Sequence, residues 1–243
     1  MGKTTSRIAI IGGALLFVIA VAALVVLGRL GRLIEHGVET AGPKITGTDV
    51  TLGSAQVSIF SGEGALKRLH IGNPEGFSSD EAFDLGKVAI VVDVKSVTAD
   101  VIHIRSIVVE APRLVAEFDA AGGSNLDAIR AHARAAARGG SSDAKGASGT
   151  QTRMIIDEFR FEDAEVRALA PAFGLDKSLK LPPVVLKNLG AKQGGAAAAD
   201  IANQVLGPIV QAAVQAAMKE YLAAQRDKLG DKAKDKLLDK IFK

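Results

Sequence analysis

The hydrophobic pattern changes character along the chain. Ile8–Leu27 (IAIIGGALLFVIAVAALVVL) has no polar phase: its twenty residues include no charged or strongly polar side chain. At about 1.5 Å per helical residue the run reaches roughly 30 Å, the thickness of a bilayer's hydrocarbon core. As a soluble helix it would have no polar face to turn to water. It predicts a transmembrane signal anchor over residues 8–28 behind a leader of residues 1–7. The rival is a cleaved signal, whose apolar core spans about 7–15 residues before a small-x-small site. This run is longer and ends in Leu-Gly-Arg-Leu-Gly-Arg. Lys3 and Arg7 before it nearly balance Arg29 and Arg32 after it, so flanking charge hardly chooses a side. The short leader and long body favour a translocated body.

Helical spacing follows. Leu30, Leu33, Ile34 and Val38 predict a stalk within residues 29–47, stopped at Gly42-Pro43. The period then falls to two. Thr48–Phe60 reads as a strand in which Val50 and Leu52 are out of phase with Ala55, Val57 and Ile59, and Gly53 marks a bulge. Ala65–Gly72 pairs with it as a hairpin. Asn73-Pro74-Glu75-Gly76 has the residue choice of a type I turn, and Ser78 and Glu81 are spaced as a capping box. Lys87–Val97, Val101–Val109 and Leu114–Phe118 alternate as strands, the second apolar on both faces.

Asn125 caps a predicted helix to Arg138, and residues 139–150 (GGSSDAKGASGT) have a linker's composition. Arg153–Phe161, Glu165–Leu169 and Val184–Leu189 resume the alternation, the last an edge strand entered through Pro182-Pro183. From Ala196 the pattern is helical, with a kink expected at Gly207-Pro208. An Asp-Lys-apolar repeat runs from Asp227 to Ile241, each Lys facing an Asp three residues on. The predicted fold class is α+β: a single N-terminal membrane helix, a mainly antiparallel, twisted or curled sheet over residues 48–194, and a long amphipathic helix over 195–243.

Composition narrows the functions. With no cysteine there are neither disulfides nor thiolate metal sites. The net charge of +3 is spread out, with one Tyr and no Trp, so nothing here suggests a nucleic-acid partner. His36, His70, His103 and His132 lie far apart without an HExxH spacing, and each reads as a surface or filler residue. Gly62-x-Gly64 is not followed by the Lys-Ser/Thr of a phosphate loop, and no Gly-x-Ser-x-Gly occurs. Asp157-Glu158 and Glu162-Asp163 read as solvated strand ends. The expectation is a non-enzymatic protein with no catalytic residue, cofactor or metal.

Gly64–Phe77 (GALKRLHIGNPEGF), behind an N-terminal span and a strand, resembles the AsmA-like proteins of the Gram-negative envelope, whose segments read Gly-x-Leu-x-x-Leu-x-Ile-x-Asn-Pro-x-Gly-Phe. Gly64, Leu66, Leu69, Ile71, Asn73, Pro74, Gly76 and Phe77 match. Phe83–Val88 and Gly123–Asp127 are also similar. The resemblance covers about Ile8–Asp127. It implies an inner-membrane anchor, a periplasmic β-rich body, and an apolar groove that carries phospholipid in larger relatives. This chain is too short to bridge the envelope alone, so the groove would need further copies of the chain or a larger envelope partner. Asn73, Pro74, Gly76 and Phe77 carry over as structural turn residues.

Two functions are expected from this. In the first, the protein holds or transfers lipid, or supports outer-membrane assembly, with Ile90, Val92, Ile102, Ile104 and Phe118 lining the concave face; a plain sheet core is the equal alternative for these five. In the second, the sheet is a scaffold and the C-terminal helix binds a partner or self-associates.

Overall fold

The computed structural model describes residues 31–139 and 153–241. The predicted span and most of the linker lie outside these residues. Among the described residues no helix is long and apolar enough to cross a membrane. The fold is α+β, with a curled, half-barrel sheet and a long C-terminal helix. Helix α1 (31–46) precedes β1 (Val50–Val57), β2 (Glu63–Gly72), β3 (Glu81–Val92), β4 (Val101–Glu110) and β5 (Arg113–Glu117). Helix α2 (Asn125–Gly139), β6 (Arg153–Glu162), β7 (Glu165–Ala170), β8 (Leu175–Lys180), β9 (Val184–Leu189) and α3 (Ala198–Ile241) follow.

The nine strands behave as six. β4 and β5 run antiparallel to β3 in one register, Lys87 opposite Glu110 and Asp84 opposite Arg113. β6 and β7 keep one parallel offset, Glu110 opposite Glu162 and Arg113 opposite Glu165. β9 and β8 likewise share a register against them, Phe161 opposite Val184 and Glu165 opposite Lys180. Each pair is one strand interrupted once. Following the registers across the sheet, Gly53, Arg68, Gly86, Ala111, Asp163 and Pro182 fall at one level.

That level is a crease. Arg68, Ala111 and Asp163 adopt φ of 54°, 48° and 54°, the left-handed region that L-residues seldom occupy. Each interruption swaps the alternation, so residues an odd number apart share the inner face: Leu52 with Ala55, Val109 with Leu114, Phe161 with Val166. The phase change read in the sequence around Gly53 is one end of this line.

Several expectations need correction. The sheet is mixed, because β4–β6 and β5–β7 are parallel and joined through α2. The stalk helix runs through Gly42-Pro43 to residue 46, where the Thr46 hydroxyl donates to the Gly42 carbonyl at 3.0 Å. Ser78–Asp80 form bends with no helical turn, and Glu81 already opens β3. β8, too polar to alternate, was not expected at all. Asp157-Glu158 sit within β6, and Glu162-Asp163 at the crease.

The core fills the inner face beyond the crease. Phe83, Leu114, Phe118 and Val166 pack with Leu126 and Ile129 of α2 and with Val210, Ala213, Ala217 and Tyr221 of α3. The Phe118 and Tyr221 rings stand 4.9 Å apart, and Phe173 meets Tyr221 edge-on at 5.3 Å. Helix α1 covers the free edge of β1. Glu35 Oε1 accepts from the Ala55 amide at 2.9 Å and Glu39 Oε1 from the Leu52 amide at 3.2 Å, satisfying donors that an edge strand would leave open.

The crease makes a prediction. Ala111 is solvent-exposed, where valine in an ordinary strand would be neutral or favourable. At a φ of 48° a β-branched side chain is strained, so Ala111→Val should cost about 1–2 kcal/mol. Urea denaturation checks this; an unchanged midpoint would remove the strained crease.

Candidate functional site

Two constellations emerge. The first is apolar. On the near side of the crease, cross-strand rows run Ala55–Leu66–Val88–Val109–Phe161–Val184 and Val57–Gly64–Ile90–Ile107–Phe159–Leu186. A bulge between Val91 and Val92 then brings Val92 beside Ile104, Ile156 and Leu189. Val88, Val109, Phe159 and Phe161 are buried, which identifies this as the inner face. Helix α3 covers its β6–β9 side with Ile201, Val205, Leu206 and Ile209. Toward β3 and β4 the cover thins: Ile90, Val92, Ile102, Ile104 and Ile107 are all half-buried.

Of the five side chains expected to line a concave face, the structure gathers four. Ile90 and Val92 share a parity in β3, Ile102 and Ile104 share one in β4, and Val92 faces Ile104. Phe118 is elsewhere. It lies across the crease with 1% of its surface exposed, sealed by Tyr221 in the filled core. Ile107 belongs with the four and was missed, because the bulge at Arg105 reverses the phase on which the sequence reading relied.

The second constellation is polar and buried. Glu117, at the end of β5, is 4% exposed. Its carboxylate accepts from the Ser78 amide (2.7 Å), the Ser78 hydroxyl (2.8 Å), the Ser79 amide (2.9 Å) and Asn73 Nδ2 (3.4 Å). Asn125, fully buried at the start of α2, accepts through Oδ1 from the Glu117 and Leu126 amides. Its Nδ2 donates to Asn73 Oδ1 at 2.7 Å and to the Val115 carbonyl at 2.8 Å. Asn73 and Asn125 are 52 residues apart in sequence, yet the motif that carries the family resemblance and the later Gly-Ser-Asn stretch meet here.

The turn itself is centred on Glu75-Gly76, one residue later than expected. Gly76 has φ 93° and open space around it, so glycine is required by backbone conformation rather than by crowding. Phe77 is half-buried, as is Pro74. All four motif residues therefore shape and anchor a loop.

The outer face is electrostatic. One row reads His70–Asp84–Arg113–Glu165–Lys180 across five strands, alternating in sign when His70 is protonated. Arg113 grips Asp84, and its hydrogen bond and the charge of Asp84 raise the guanidinium pKa further. Arg167 clasps Asp176 through Nε at 2.6 Å, and that hydrogen bond lowers the carboxyl's pKa. His70, Glu81 and Asp84 present ligand atoms within 4.8 Å of one another, a grouping invisible in the sequence. Asp84 is already taken by Arg113, so the set reads as part of the ion row.

No family model, curated protein or solved structure matches the chain.

The polar node predicts its own energetics. Removing the Asn125 amide strands the Glu117 amide and the Val115 carbonyl in the core. Asn125→Ala should therefore destabilise by roughly 2–4 kcal/mol, at the cost of about 1–3 kcal/mol per unsatisfied buried group. A double-mutant cycle with Asn73→Ala should return a coupling of about 0.5–3 kcal/mol. Additive losses by chemical denaturation would show that the two asparagines act separately.

Proposed function

We propose that the protein is a non-enzymatic envelope protein, AsmA-like, anchored in the inner membrane by Ile8–Leu27 with its body in the periplasm, and that it holds or hands on a phospholipid acyl chain. One observation carries this reading. Ile90, Val92, Ile102, Ile104 and Ile107 form a partly buried apolar strip on the inner face, beyond the cover of α3, with Ile90, Ile104 and Ile107 packed against the edge of the core. An apolar strip bounded by β-strands recognises chain length and saturation poorly, which fits carriage of bulk lipid better than selection of one small molecule. The resemblance supports the same reading through Gly64–Phe77, whose Asn73 the structure engages in the polar node.

The test is lipid analysis of the full-length protein purified in mild detergent. The expected result is co-purifying phospholipid, reduced several-fold by Ile90→Gln with Ile104→Gln. Protein free of lipid, or lipid indifferent to the substitutions, would overturn the proposal.

A second reading, an interaction module, is favoured by the end of α3. Beyond Tyr221 the helix still touches the β7–β8 turn, where Lys228 donates to the Ala172 carbonyl, while Leu222 and Leu229 are 44% and 62% exposed. Removing residues 230–243 and measuring mass by light scattering tests self-association; an unchanged monomer eliminates it.

A further inference from the structure

Five of the eight large apolar side chains exposed on the described residues lie toward one end of the molecule: Leu33, Ile59, Phe60, Val94 and Val97. Phe60 is 88% exposed, the most of the eight. Ile59 and Phe60 occupy the β1–β2 turn, and Val94 and Val97 the β3–β4 turn. The two turns touch. The Val92 amide donates to the Gly62 carbonyl at 2.8 Å, and a Cβ on Gly62 would stand 3.0 Å from Val94 Cγ2. No such cluster is needed for folding, since all four turn residues lie outside the hydrophobic core.

Helix α1 fixes which way this tip points. A Cβ on Gly31 would meet the Ala55 carbonyl, and one on Gly42 would meet Val50. Eleven helical residues rise about 16 Å, the length of five strand residues, so α1 lies flat and antiparallel along β1. Its first residues are therefore level with the strand end that leads into Phe60. Leu27, the last residue of the apolar run, is four residues before Gly31 and so within about 14 Å of it in any conformation. The chain reaches the body from the same end that carries the exposed apolar turns.

We infer that this tip is a second membrane contact: Phe60 and Val97, with Ile59 and Val94, insert into the headgroup–acyl boundary of the bilayer and hold the body upright against it. Exposed apolar side chains on loop tips gain by entering the interface, in proportion to the apolar area they bury there. The contact would place the near-side strip, Val92 and Ile102 foremost, next to the lipid from which it loads. The inference rests on reading Ile8–Leu27 as a membrane span.

The chain has no cysteine, so single-cysteine variants can be spin-labelled uniquely. The full chain carrying Phe60→Cys, Val97→Cys, Glu75→Cys or Leu15→Cys would be reconstituted into phosphatidylethanolamine–phosphatidylglycerol vesicles. Collision rates of each label with oxygen and with a water-soluble nickel chelate report depth. Labels at 60 and 97 should favour oxygen several-fold over the label at 75, in the opposite turn, and the label at 15 should favour it most. Labels at 60 and 97 that behave like the one at 75, while 15 remains lipid-exposed, overturn the second contact and leave the anchor intact. A water-exposed label at 15 overturns both.

Discussion

The crease at Gly53, Arg68, Gly86, Ala111, Asp163 and Pro182 is the constraint on which the rest depends. A long twisted sheet cannot present a concave surface unless its strands bend together, because a bend in one strand alone would tear its ladder. Here three strands are interrupted at one level that β1, β2 and β3 cross unbroken, and each register resumes unchanged beyond it. Three of the six positions hold non-glycine residues at positive φ, a cost of about 1–3 kcal/mol each that the flanking ladders must offset. Packing against the two helices on the concave side supplies that compensation, so sheet curvature and helix docking stabilise each other.

The crease also divides the inner face into two regions with different character. Beyond it the face is sealed: Phe118, Leu114 and Val166 are almost wholly buried under α2 and α3. The polar node sits at the same end, where Glu117 and Asn125 tie the β2–β3 loop to the first turn of α2. A carboxylate buried by several neutral donors is a directional device: it is satisfied in one loop arrangement and unsatisfied in others. On the near side the isoleucines of β3 and β4 are only partly buried. Rigidity and openness are therefore placed at opposite ends of the same strands.

Much of this was legible in the sequence where the alternation is strong. β1, β4 and β6, the helix opening at Asn125 and the long C-terminal helix all follow from period and capping. One cause of the misses is local. A left-handed residue inside a strand shifts the phase of everything after it, and at Ala111 and Asp163 nothing in the side chain announces this. Phe118 was therefore grouped with Ile104, although the break at Ala111 puts the two in different regions of the inner face. β8 was missed because its side chains, Asp176, Lys177 and Ser178 among them, are exposed. Pairing with β7 makes it a strand, and its own pattern does not. The ion row and the convergence of Asn73 with Asn125 depend on register between distant strands, which a local reading does not reach.

The sheet edges bear on how the apolar strip could be extended. Edge-to-edge growth requires an open row of donors and acceptors. On β1 that row is occupied, because Glu35 and Glu39 of α1 accept from the Ala55 and Leu52 amides. The opposite edge carries Pro182-Pro183 at its centre and Lys177, Lys180 and Lys187 along its length, residue types that blunt edge pairing. Both edges are thus guarded against lateral addition. A partner that continued the apolar strip would have to meet the sheet end to end. The strip lies at the end whose β1–β2 and β3–β4 turns face the membrane in the proposed arrangement, and the opposite end is closed by the core under α2 and α3 and by the polar node.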